Sequence, residues 1–168
     1  MNFTKKIIFL FCLSSFIVNA NNNQDDLLCE NLDEMVDLDL PFYASEYDAE
    51  NLIKKVGNYN IRKDNNQYSV KIIVTFDTTN ENLVNMSVSR DYFRITEVSQ
   101  NELEDAIITS LSGDDDENDG MSPHASCIES CKDKYTDEEG NKISGRGACK
   151  ANCWVDTGVK LVAALSPF

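Results

Sequence analysis

The chain has 168 residues, with 29 Asp and Glu against 15 Lys and Arg and a formal net charge of −14. That length suits one ordinary domain or a small domain with an appendage. A surface this acidic repels phosphate backbones and anionic lipid, which disfavours nucleic acid as a partner and favours solubility.

At the N-terminus, Lys5 and Lys6 precede an apolar run from Ile7 to Val18, broken only by Ser14 and Ser15. Val18-Asn19-Ala20 then leads into polar Asn21-Asn22-Asn23-Gln24. This is the layout of a secretory signal peptide over residues 1–20. The run is shorter than the roughly 20 apolar residues that a spanning helix needs, so cleavage near Asn21 is expected, with Cys12 leaving on the signal. Phe11 before Cys12 and Leu28 before Cys29 are not the small residues that a lipid anchor requires. Losing Lys5 and Lys6 leaves 13 basic against 29 acidic side chains, a net charge of −16. The expected location is secreted or periplasmic, with no membrane contact after cleavage.

Residues 21–112 read as an α+β domain. Leu28, Leu32, Met35 and Val36 recur at helical spacing and suggest a first helix ending before Pro41. Ser45 with Asp48 resembles a capping box. It opens a second expected helix, with Ala49, Leu52, Ile53 and Val56 on one face and Gly57 as its stop. Strand signals begin at Tyr59 and Ile61, and Asp64-Asn65-Asn66 offers a turn. Tyr68, Val70, Ile72, Val74 and Phe76 alternate with mostly polar neighbours, the strongest strand pattern in the chain. After a polar turn at residues 78–82, Val84, Met86 and Val88 alternate in the same way. Tyr92–Val98 suggests a fourth strand. Ser99 with Glu102 forms a second capping box, opening a helix with Leu103, Ala106, Ile107 and Leu111 on its apolar face. The expected fold is an antiparallel sheet of three to four strands with flanking helices on one face.

Residues 113–121 read as an acidic linker. Asp115, Glu117, Asp119 and Gly120 match the first half of a calcium loop, but Ser126 stands where a bidentate Glu must close it. The run therefore reads as solvated rather than as a metal site.

Residues 122–168 carry four of the cysteines. Ser122-Pro123 starts a helix bearing Cys127 and Cys131, and Asp137–Asn141 is a turn. A second helix carries Cys149, Cys153 and Trp154, then the apolar residues Val155, Val159, Leu161, Val162 and Leu165. Residues four apart on a helix lie on one face. Two such helices folded back on each other bring Cys127 opposite Cys153 and Cys131 opposite Cys149, a hairpin closed by two staples. Four zinc-bound thiolates are the alternative, but structural zinc sites space paired ligands more tightly, and export favours disulfides. The paired C-x3-C resembles the twin C-x3-C chaperones of the mitochondrial intermembrane space and the stapled helical hairpin peptides of plants. The resemblance implies hairpin geometry and nothing about activity. Cys29 is left unmatched, either as a free thiol or bonded to a second chain, and its acidic neighbours favour a buried free thiol.

No catalytic, cofactor or metal-binding motif emerges. His124, the only histidine, has no nucleophile near it in sequence. Arg90, Tyr92, Phe93 and Arg94 interleave base and aromatic but read as strand residues. Asn85-Met86-Ser87 is a glycosylation acceptor where the host glycosylates. The apolar helix from Trp154 to Leu165 must pack on the preceding unit or on a protein partner. The expectation is an exported, non-enzymatic interaction module, with a small extracellular hydrolase as the alternative.

Overall fold

A computed structural model describes residues 35–112 and 121–167. The expected signal peptide, Cys29, most of the first expected helix and the acidic run at 113–120 lie outside the described residues.

Four strands form one antiparallel sheet: β1 (Met35–Asp37), β2 (Leu52–Lys63), β3 (Asn66–Asp77) and β4 (Asn82–Ser89). Their order is β1-β4-β3-β2. Four helices follow: α1 (Arg90–Thr96), α2 (Gln100–Ser112), α3 (Pro123–Lys134) and α4 (Arg146–Leu165). The fold is α+β, with the antiparallel sheet followed by a stapled helical hairpin, as expected from the sequence.

The long β2–β3 hairpin turns at Asp64 and Asn65, whose φ angles of 51° and 64° are left-handed. Two such residues make the turn whose twist matches that of the flanking strands. The alternation then resolves by face. Val70, Ile72, Val74 and Phe76 are fully buried, whereas Ser69, Lys71, Ile73 and Thr75 point to the other side. The buried row shares one core with Tyr92 and Ile95 of α1, Leu103 and Ile107 of α2, and Ala151, Val155 and Val162 of α4. The helices therefore occupy one face of the sheet, and segments before and after residues 113–121 meet in one core.

Three local expectations are corrected. Met35 and Val36 lie in β1, not in a helix. The Ser45–Asp48 signal yields only one helical turn, Ala49–Asn51, where the Asp48 carboxylate accepts from Glu50 N. Leu52, Ile53 and Val56 belong to β2. Their spacing fits a helix, but their register against β3 buries the face holding Ile53, Tyr59 and Ile61. Gly57 is no helix stop: a Cβ there would lie 2.6 Å from Val155 Cγ1 and 2.7 Å from Val159 Cγ2. Its missing side chain lets α4 lie directly on the sheet. The third correction is Tyr92–Val98, where Tyr92–Thr96 lies in α1 and no strand forms. Asp91 sits in its first turn, and left-handed Glu97 (φ 65°) closes it with a bond from its N–H to the Phe93 carbonyl.

The Ser99–Glu102 capping box is present, with the Glu102 carboxylate accepting from Ser99 N at 2.7 Å and Ser99 Oγ accepting from Glu102 N at 3.2 Å. Ser122 caps α3 by accepting from Ala125 N, with Pro123 at the first position. Both expected disulfides are formed, Cys127–Cys153 and Cys131–Cys149.

The start of α4 sits against the β3–β4 turn with no room to spare. A Cβ on Gly147 would lie 2.8 Å from Thr78 Cα and 2.9 Å from Thr78 O. Those are backbone atoms and cannot rotate away. Gly147→Ala should lower stability by about 2 kcal/mol, because overpacking outweighs the roughly 1 kcal/mol that alanine adds to a helix. Urea denaturation measures it, and a variant as stable as the parent would refute the close contact.

Candidate functional site

The β3–β4 turn is built around two carboxylates. Asp77 is fully buried and accepts from Asp48 N (2.8 Å), Thr79 N (2.8 Å), Asn80 N (3.1 Å) and Asn80 Nδ2 (2.8 Å). Burial pushes its pKa up, but these bonds outweigh it and hold the group at about 2. Asp77 thereby fixes the turn that presents Glu81.

Glu81 takes a left-handed backbone (φ 58°) and turns its carboxylate toward the hairpin. Its Oε1 accepts from Arg146 Nε at 2.7 Å and lies 3.2 Å from Lys142 Nζ, while Oε2 accepts from Lys150 Nζ. Lys142 also donates to the carbonyls of Thr78 (2.6 Å) and Thr79 (3.0 Å), tying the turn of the hairpin to the turn of the sheet. Burial again opposes ionisation, but donation from Arg146, Lys150 and Lys142 brings the Glu81 pKa down to about 2. One carboxylate thus holds three cations.

Next to this cluster lies an open groove of about 410 Å³ between α3, α4 and the sheet. Phe76, Ile128 and Trp154 supply apolar wall, and Met121 stands at its edge, 61% exposed. Lys132 and Glu129, paired at 2.7 Å, and Lys150 with Glu81 make the polar side. Trp154 is fixed on both sides: its ring stacks on Phe42 at 5.4 Å and meets His124 at 4.3 Å.

His124, in the first turn of α3, also reaches α4. Its Nδ1 is 2.9 Å from Thr157 Oγ1. Burial lowers its pKa, partly offset by a hydrogen bond to the Cys153 backbone carbonyl. Cys131 Sγ and Cys153 Sγ lie 3.6 Å apart because the two bridges stack, and Cys127 Sγ is close to both. Committed to disulfides, these sulfurs are not the thiolates that a zinc site needs.

Other candidates are dispersed. Asn85 lies within β4 and donates to Asp37 Oδ1 at 2.8 Å. Arg94 pairs with Asp91 at 2.7 Å on α1, beside buried Tyr92. The apolar face of α4, expected to meet the preceding unit or a partner, packs on β2 and β3 of its own chain. Sequence reasoning missed Asp77, Glu81, Arg146 and Lys150. The i, i+4 spacing of Arg146 and Lys150 was a usable signal, but their shared partner lies 65 and 69 residues upstream.

Among the described residues, no helix is long and apolar enough to cross a membrane. Comparisons with protein-family models, curated proteins and solved structures found no match to this chain.

Proposed function

We propose that this is an exported, non-catalytic binding module that takes an apolar side chain of a protein partner into the groove beside Trp154. The observation that carries this reading is the fixed aromatic anchor. Trp154 is held between Phe42 and His124 at the edge of an apolar depression with a charged rim. Buried aromatic anchors within a polar rim are where interface energy concentrates. The disulfides suit an oxidising compartment, which fits export.

The hydrolase reading draws on one contact, the Thr157 hydroxyl beside His124. A working dyad needs a group orienting the base and donors for an oxyanion. Here the imidazole is wedged against an indole instead.

Both readings meet one experiment. A photo-crosslinker at Met121 identifies the partner, and its affinity is then measured with purified components. Ile128→Arg and Trp154→Ala should each weaken binding by about 2 kcal/mol or more, the cost of losing an interface anchor. Affinity unchanged in both variants would reject the groove. Turnover of ester, peptide or glycoside substrates that disappears in Thr157→Val would replace this reading with the enzymatic one.

A further inference from the structure

The two edges of the sheet are treated differently. Along β4, the edge left open beyond the short β1 is filled by the chain itself. Leu38 N donates to Met86 O at 2.9 Å, Ala44 N donates to Leu83 O at 2.9 Å, and the Tyr43 hydroxyl accepts from Met86 N at 2.9 Å. The opposite edge is β2, twelve residues long, and among the described residues no strand pairs with it on its outer side.

The register states which groups are open. The two-residue turn makes Lys63 and Asn66 a hydrogen-bonded pair, so the odd-numbered residues of β2 spend their N–H and C=O groups on β3. Lys54, Val56, Asn58, Asn60 and Arg62 present theirs outward. Such a row is a template for another strand. Natural edges are usually short or bulged, and this one is neither.

Charge selects among occupants. In a chain of net charge −14, β2 carries Lys54, Lys55, Arg62 and Lys63 and no acidic residue. Lys54 and Arg62 lie on the sheet face away from the helices, as does Lys71 of β3, flanking Val56 (55% exposed) and Ile73. Among the described residues, the side chains of Lys54, Arg62 and Lys71 have no ion-pair or hydrogen-bond partner. A second β2 strand would bring cation against cation. We infer that β2 is a docking edge for an extended acidic segment of a partner protein, which adds as a fifth strand. Its carboxylates would meet Lys54, Arg62 and Lys71, and an apolar residue between them would meet Val56. Backbone bonds supply the attachment and the charges its selectivity.

The test uses the mature chain and a nine-residue peptide alternating glutamate with threonine around a central valine, beside a control with lysine for glutamate. Backbone amide spectra should shift most at Lys54, Val56, Asn58, Asn60 and Arg62, saturably and more weakly at high salt. The glutamate peptide should bind about tenfold tighter than the lysine peptide, and the double variant K54E/R62E should reverse that order. Val56→Pro removes an outward N–H without touching the ladder to β3, so it should abolish binding while the circular dichroism spectrum is kept. If that variant does not fold, the amide map and the charge reversal decide alone. Equal affinity for the two peptides, or no shift on β2 at millimolar peptide, overturns the inference. So does a dimer of the free protein that Val56→Pro abolishes, or binding to phosphatidylserine vesicles in place of peptide.

Discussion

Glu81→Gln should cost about 3 kcal/mol of stability, because it leaves Lys142, Arg146 and Lys150 gathered in a partly buried site with no negative charge among them. Glutamine keeps the size and an acceptor oxygen, so the loss reports charge rather than a cavity. Acid should mimic the substitution. The folded-state pKa of Glu81, about 2, lies below its ordinary 4.5. The unfolded chain therefore binds more protons in that interval. The contribution is fully present above pH 4.5 and is lost as pH falls toward 2, amounting to about 3 kcal/mol. Asp77, lowered from 3.8 to about 2, adds to the same acid limb. Urea denaturation at a series of pH values should thus show a steep acid loss in the parent and a shallower one in Glu81→Gln. Adding Lys142→Met should restore part of the deficit by removing one of the mutually repelling cations. A Glu81→Gln protein within about 0.5 kcal/mol of the parent, with an unchanged acid limb, would mean that the cluster is a solvated surface feature.

How much of this was legible in the sequence depended on the range of the signal. Alternation in Tyr68–Phe76 is local, and it appears as β3 because one face of that strand is buried throughout. The four cysteines gave their pairing because helical spacing and a reversal of direction leave one nested solution. Residues 52–57 misled because Leu52, Ile53 and Val56 satisfy a helical period while also fitting β2. What decides is the hairpin partner and the approach of α4 over Gly57, both distant in sequence. Tyr92–Val98 misled in the opposite sense, since aromatic and β-branched residues on a one-face-buried helix look like a strand over seven positions. In the candidate site, neither Glu81 nor the tilted contact of His124 with Trp154 could be read, because each joins elements that only the fold brings together.

Opening both disulfides should have the largest effect of all, about 6 kcal/mol, comparable to the whole stability of a small domain. The bridges close separations of 18 and 26 residues, worth about 3 and 3.5 kcal/mol singly on the chain-entropy argument. They are nested and stacked, so with the inner bridge formed the outer one closes only a small further loop, worth about 2.7 kcal/mol. Replacing either pair by serine alone should therefore cost about 2.5–3 kcal/mol, and replacing both should cost about twice that. The loss should not stay in the hairpin. Ala151, Val155 and Val162 of α4 complete the core under β2 and β3, so freeing α4 uncovers Val70, Ile72 and Val74. Trp154 fluorescence, reporting the hairpin, and the amide signals of Val70 and Val74, reporting the sheet, should follow one shared transition in every variant. Two separate transitions, with the sheet persisting after Trp154 is released, would show that residues 122–168 are an appended unit rather than part of the core. A four-serine protein within about 1 kcal/mol of the parent would show that packing of α4 on the sheet holds the hairpin closed without the staples.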